Sequence, residues 1–296
     1  MQKIELSDIL SNSNFDDKEY LVWYVSIIWR PNTWKSTFVN TLIWEKISIT
    51  SNVPQTTRQN ILAIYNDDES QIIFLDTPGI HNSDKLYNEK INSNAINSIE
   101  DADVILYFID SSRQWGDEEE KIKDLIKNIK KPIIKVYTKS DLNPKINIDK
   151  ESLTISSITQ KWYDELIKQI KSHLNTWTLF FPQDYYTKQD IYFRINEIIR
   201  EKAFFNLKDE IPHSIYVKTE EIEESDDLLK IVAYIYTETE SQKTIVIWKW
   251  WGQITKIWKE SREELEDIFD KKVFLALRVK VNKNWKKNEK LLNKII

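Results

Sequence analysis

Residues 27 to 37 read Ile-Ile-Trp-Arg-Pro-Asn-Thr-Trp-Lys-Ser-Thr. They follow an apolar run, Val22 to Ile28, that reads as a buried strand, and they lead into Phe38 to Ile43, which has helical spacing. Strand, tight loop, Lys-Ser and helix make the layout of a phosphate-binding loop, G-x-x-x-x-G-K-[ST]. Such a loop wraps backbone N–H groups around phosphates at a helix N-terminus. It needs close backbone approach and conformations that only Gly adopts cheaply. Here Trp29 and Trp34 stand at the two glycine positions. An indole there would fill the phosphate site.

Composition carries the same anomaly. A chain of this length ordinarily holds about 20 Gly, roughly 7%, whereas this one has 3 Gly and 12 Trp. At 296 residues it has length for two ordinary domains. No apolar run approaches the ~18 residues of a membrane span, and the first residues lack the basic start and apolar centre of a signal peptide. A soluble, cytoplasmic protein is expected. Without Cys there is no disulfide or thiolate zinc site, and the three His are scattered. Net charge is −5, unevenly spread: Glu220 to Asp227 carry six acidic residues, and Lys271 to Ile296 carry nine Lys or Arg against one Glu. The basic segment is a candidate phosphate-contacting face or a solvated tail.

Residues 1–20 are rich in Ser, Asn and Asp and read as a flexible extension. Beyond the loop, Ile61 to Tyr65 and Gln71 to Leu75 read as a hairpin that ends in Asp76-Thr77-Pro78-Gly79. Val104 to Ile109 and Pro132 to Tyr137 are further β-rich runs between charged helical stretches. Alternating strand and helix predicts a mostly parallel sheet with ligands at its C-terminal strand ends. Lys161 to Leu174 reads as an amphipathic helix, followed by a linker. The order then changes to helix (Ile191 to Phe205), strand (Ser214 to Thr219), strand (Leu229 to Thr237), helix, loop, helix and strand (Val273 to Val281).

By the loop consensus, Lys35 reaches the β- and γ-phosphates and Ser36 ligates Mg²⁺, with Asn32, Thr33 and Thr37 completing the cradle. From Trp23 to Lys286 the sequence resembles the Era family of bacterial GTPases, which join a Ras-like P-loop NTPase domain to an α+β type II KH domain. The resemblance places a G domain at 21–176, a linker at 177–190 and the KH domain at 191–296. It implies that Asp76 acts on Mg²⁺ and that the Gly79 N–H meets the γ-phosphate. Thr57, with Thr56 as the near alternative, would close on Mg²⁺. Thr138-Lys139-Ser140-Asp141 matches the guanine motif N-K-x-D with Thr for Asn; Asp141 would accept from the guanine N1–H and 2-amino group. Ser156 and Ser157 fall at the next base-side motif. Ile80 follows Gly79 where Ras-like enzymes that position their own water have Gln, so slow hydrolysis is expected. His81 is an exposed structural residue in this reading, and Asn32 matches relatives that bind K⁺ beside the phosphates.

In the second domain, Trp248-Lys249-Trp250-Trp251 falls at the G-x-x-G loop that clamps a nucleotide backbone, with Lys256 and Lys259 as phosphate contacts. The resemblance implies GTP/GDP and Mg²⁺ as ligands, and the 3′ end of small-subunit ribosomal RNA and the 30S subunit as partners. It also implies a monomer with an option of peripheral attachment to the inner membrane face. Trp23, Trp29, Trp34, Trp44, Trp162, Trp177, Trp248, Trp250, Trp251 and Trp258 all fall where the family has Gly, whereas Trp285 falls on a family Trp. Two readings follow. Either the gene decodes UGA as Gly and these positions are Gly in the living protein, or the indoles are real and the chain is a nucleotide-dead RNA-binding scaffold.

Overall fold

A computed structural model describes residues 19–30, 35–48, 58, 60–78, 86–148, 152–156, 159, 163–247 and 251–295, with backbone alone at 86, 251 and 252. The extension expected at 1–20 lies almost wholly outside this set. The chain divides into two compact units: Met1–Ile47, Asn60–Thr77 and Ile96–Lys188 form the first, and Ser48–Gln59, Pro78–Ala95 and Gln189–Ile296 the second.

The first unit is built on a seven-stranded sheet. Its strands are β1 (Tyr20–Trp29), β2 (Ile61–Asn66), β3 (Ser70–Asp76), β4 (Val104–Asp110), β5 (Ile133–Thr138), β6 (Leu153–Thr154) and β7 (Thr176–Trp177). Strand order is β2-β3-β1-β4-β5-β6, with β7 antiparallel to the start of β1. All pairs from β3 to β6 are parallel, and β2 joins β3 as the expected antiparallel hairpin. Every residue of β3 and β4 is buried, as expected of parallel strands covered on both faces. Helices α1 (Lys35–Ile43), α3 (Asp117–Ile126) and α4 (Tyr163–Lys171) belong to this alternation, and α2 (Leu86–Asp101) is shared, its residues from Ile96 on in this unit and those up to Ala95 in the second. Phe38 of α1 meets Phe74, Phe108 and Tyr163 edge-on, with ring centroids 6.1, 5.0 and 5.1 Å away. That cluster fixes the phosphate-loop helix against β3, β4 and α4.

The segment expected as a linker is strapped down. Gln71 of β3 donates to Phe181 O at 2.8 Å and accepts from Phe180 N and Phe181 N, both at 2.9 Å. Thr187 bridges to Ala63 and donates to Leu62 O at 2.8 Å. The free edge of β2 is thereby covered, which blunts a strand edge that would otherwise pair with other chains.

The second unit contains α5 (Ile191–Asn206), β8 (Tyr216–Glu224), β9 (Leu228–Thr237), α6 (Glu240–Ile247), α7 (Trp251–Phe269), β10 (Lys272–Val281) and α8 (Glu289–Ile295). Asp190 caps α5 by accepting from Phe193 N at 2.8 Å. β8 and β9 are antiparallel, β9 and β10 parallel, in the order β10-β9-β8. Alternate residues of β9, from Leu229 to Ile235, pack with Ile195 and Ile199 of α5 and Ile257 and Leu265 of α7. A smaller cluster gathers Tyr87, Ile91, Tyr216, Trp285 and Leu292.

Candidate functional site

Each described motif residue lies at a C-terminal strand end of the parallel sheet. Lys35 opens α1 after β1, Asp76 ends β3, Asp110 ends β4, and Thr138 ends β5 with Lys139 to Asp141 beyond it. Ser156 follows β6. The fold therefore collects residues that are more than 100 positions apart in sequence along one edge.

Lys35 is buried, and its ammonium pairs with Asp76, donates to Thr77 O and sits 3.2 Å from the centre of the Trp29 ring. Burial pushes its pKa well below the ordinary lysine value. Thr77 in turn donates from its hydroxyl to Ile27 O at 2.8 Å, tying the end of β3 to β1. Arg30, the residue after Trp29, donates to Glu119 Oε2 at 2.7 Å and Gln114 O at 3.0 Å. The start of the loop is thus pinned to α3. Burial raises the Glu119 pKa despite the Arg30 charge.

Beyond β5, Lys139 adopts φ 60° and donates to Asp110 Oδ2 at 2.6 Å. Burial alone would raise the Asp110 pKa, but the hydrogen bonds from Lys139 and Ser112 and the Lys139 charge hold it below the usual carboxylate range. Ser156 donates to Asp141 Oδ1 at 2.5 Å and accepts from Thr159 N at 3.2 Å. Ser140 N donates to Ile155 O at 3.1 Å. Thr138, standing for the family Asn, turns inward: its hydroxyl donates to Ile109 O at 3.3 Å, and its carbonyl accepts from Ser111 Oγ at 2.8 Å. Asp141 is therefore presented by a loop held on both sides.

Asn32, Thr33, Trp34, Thr56, Thr57, Gly79, Ile80, His81, Ser157, Trp248, Lys249 and Trp250 lie outside the described residues, as does the Trp251 side chain. Lys256 and Lys259 project from α7, each within reach of a glutamate one turn on, Glu260 at 3.6 Å and Glu263 at 3.7 Å. Exposed pairs of this kind are weak, so both cations remain available to phosphate.

Family models described as 50S ribosome-binding GTPase and KH domain match residues 24–139 and 210–286. GTPase Era of Borreliella burgdorferi (strain ZS7) is 41% identical over 285 residues, covering 92% of this chain and 98% of that protein. The chain belongs to the Era family of GTPases. Era of Treponema denticola is 39% identical over 287 residues, with 92% and 98% covered. An Era crystal structure in complex with MgGDPNP and nucleotides 1506–1542 of 16S ribosomal RNA superposes with TM-score 0.87 at 35% identity, covering 93% of this chain and 98% of that one. Aquifex aeolicus Era Y63A bound to GDP and AlF4⁻ gives TM-score 0.86 at 35% identity, with 93% and 98% covered. The G domain and the KH domain are those of the family.

Against that family the tryptophans separate physically. Trp285, which the sequence resemblance sets at a Trp position, is 0% exposed and donates to Ser214 O at 3.0 Å. Trp44, which the sequence resemblance sets at a Gly position, is 78% exposed and holds φ 61° at the end of α1, the left-handed cap conformation that favours Gly. Gly116, by contrast, is extended, and an added Cβ would meet nothing within 4 Å. Trp258 is accommodated, donating to Leu275 O at 2.7 Å.

Ser36 and Asp76 are hard oxygen donors of the type Mg²⁺ takes, so the donor set fits that ion. No group of three or more His, Cys, Asp or Glu side chains able to hold a metal occurs among the described residues. Phosphate oxygens would have to complete the shell. The Trp29 ring over Lys35 does not fit a phosphate at the same place. Asp110 and Arg30 are the residues that sequence reasoning missed. Asp110 ends an apolar run in Asp-Ser-Ser, which reads as an ordinary turn, and its partner lies 29 positions on.

Proposed function

We propose that this chain is a GTP-binding, slowly hydrolysing switch that binds the 3′ end of small-subunit ribosomal RNA and assists 30S maturation in the cytoplasm. The observation that carries the nucleotide reading is Asp141, held by Ser156 at the end of β5. A carboxylate fixed there can accept both guanine N–H donors, which adenine does not offer. The proposal includes Gly at positions 29 and 34 in the living protein, and Gly at 248, 250 and 251, where a G-x-x-G loop brings backbone to RNA phosphates. With Gly at 29, the space above Lys35 is open to the β- and γ-phosphates, whose charge replaces Asp76 as the lysine's partner. Ser36, Asp76 and Thr57 would hold Mg²⁺, which would supply charge neutralisation at the phosphates. Without a Gln after Gly79, the chain supplies no evident group to orient the attacking water. GTP orders the Thr57 and Gly79 loops and shifts RNA affinity, and hydrolysis reverses the shift.

Mass spectrometry of the peptide spanning residues 31–35 from the native host tests the Gly reading directly. Gly at 34 and stoichiometric GTP binding are expected. Asp141→Asn should then weaken GTP and favour xanthosine triphosphate; unchanged GTP affinity would remove the base-reading role. The second reading, a nucleotide-dead RNA scaffold, is favoured by the Trp29 ring on Lys35 and follows if the native peptide contains Trp.

A further inference from the structure

We propose that the open face of the β8-β9-β10 sheet is a second RNA-binding surface that holds a single-stranded stretch of the bound RNA. The inference rests on the RNA-binding reading above. A G-x-x-G loop clamps about four nucleotides, whereas the RNA in the Era complex spans nucleotides 1506–1542. Most of an RNA of that length must meet other protein surface or none.

The sheet supplies a surface of matching chemistry. Its helix-facing residues are apolar and buried under α5 and α7, and the alternate residues point the other way. They include Lys230 and Tyr234 of β9 and Lys272, Phe274, Arg278 and Lys280 of β10, among the small or aliphatic Leu228, Val232 and Ala276; Tyr236, at one end, packs against the Trp285 cluster. Phe274 of β10 is 61% exposed, an unusual place for Phe. Cross-strand register sets Phe274 beside Lys230, Arg278 beside Tyr234 and Lys280 beside Tyr236. Lys280 Nζ stands 3.5 Å above the Tyr234 ring centre, and the Tyr234 and Tyr236 rings are 6.0 Å apart. From Phe274 to Lys280 the strand runs about 20 Å at ~3.3 Å per residue, room for more than one base. The acidic residues on this side belong to β8: Glu220 pairs with Lys218 at 2.9 Å and Glu223 with Lys230 at 3.1 Å, while Glu221, beside Val232, stands exposed at the far edge from β10. Arg278 and Lys280 make no ion pair among the described residues. β9 and β10 carry Lys230, Lys272, Arg278 and Lys280 on this side and no acidic residue, so that half is net cationic next to an exposed ring. A polyanion with stackable bases is the occupant that satisfies both, because stacking tolerates any base and phosphates neutralise the cations.

The test measures affinity of the full-length protein for two RNAs, one with the sequence of 16S nucleotides 1506–1542 and one single strand of about six nucleotides that only the loop can clamp. Phe274→Ala should weaken the long RNA about tenfold and leave the short one unchanged, while Phe274→Tyr keeps long-RNA affinity. Arg278→Ala with Lys280→Ala should lower the slope of log affinity against log salt by about 1.4 for the long RNA alone. Three results would overturn the proposal. They are equal long-RNA affinity and salt slope in wild type and variants, equal losses for both RNAs, or unchanged RNA affinity with lost binding to 30S subunits, which would assign the face to a protein. Failure of the wild type to bind either RNA would instead remove the RNA-binding reading on which it rests.

Discussion

Single residues report which tryptophans the backbone welcomes. A side chain in the left-handed region costs about 1–2 kcal/mol, and Trp44 returns little by burial. Trp44→Gly in the chain as written should therefore stabilise it by about 1 kcal/mol, read as a higher denaturant midpoint at unchanged slope. A loss of stability would mean that the indole packs usefully. Trp29→Gly with Trp34→Gly should convert a non-binder of GTP into a binder. Asp110 makes a different prediction, about pH. Its folded pKa lies below the unfolded value of about 3.9, so its stabilisation is fully present above that value and is lost as pH falls through the depressed one. Asp110→Asn should flatten the acid limb of the stability profile below about pH 4, and an unchanged limb would contradict the Lys139 pairing. The lysine of that pair was legible in the sequence, because Thr-Lys-Ser-Asp follows an apolar run. The aspartate was not, because nothing local distinguishes a strand-ending Asp that meets Lys139 from one that faces water.

At the level of elements, most of the first unit was legible. Val22 to Ile28, Gln71 to Leu75 and Val104 to Ile109 are continuous apolar runs, and such runs become the central strands of a parallel sheet because both faces are covered. Strand ends were legible too, since each motif supplies its own punctuation. What local pattern could not give was the fate of residues 175–188, whose sequence reads as a connection. The strap is held by Gln71, a polar residue in the middle of a strand, which is fully buried and satisfies two backbone N–H groups and one carbonyl. Gln71→Ala would leave Phe180 N and Phe181 N without this acceptor and open a small void. A loss of about 2 kcal/mol is expected, with amide exchange rising at Phe180 and Phe181 first. Equal protection at both amides in the variant would show that the strap is held by other contacts.

For the molecule as a whole, the question is how a nucleotide state reaches RNA. Residues Ser48–Gln59, which carry Thr57 and Arg58, belong to the same unit as Gln189–Ile296. Arg58 is the described anchor of that segment. Its guanidinium is buried, donates to Ile215 O at 3.0 Å and lies 5.6, 5.8 and 5.9 Å from the Tyr87, Trp285 and Phe204 ring centres. Burial pulls its pKa down to about 10, so it is still charged at neutral pH. It has no ion pair among the described residues, and its Nε lacks a hydrogen-bond partner. Cation–π contact offsets part of the cost of that burial, but a charge taken from water without a carboxylate stays expensive by several kcal/mol. An expensive contact one peptide from Thr57 would be easily exchanged for another if, as proposed above, GTP orders the Thr57 segment. A shorter apolar side chain removes the buried charge, giving up the hydrogen bond to Ile215 O, and keeps the segment packed among the aromatic rings. Arg58→Leu should therefore leave thermal stability equal or higher, and should leave the intrinsic GTP affinity of a nucleotide-competent chain within about twofold. The ratio of RNA affinities in the GTP and GDP states should collapse toward one, because the segment no longer leaves its pocket at comparable cost. Arg58→Lys, which keeps the charge and loses the planar fork, should retain part of the ratio. If Arg58→Leu preserves the full ratio, the nucleotide signal travels by another route, and the aromatic cage around Arg58 is only packing.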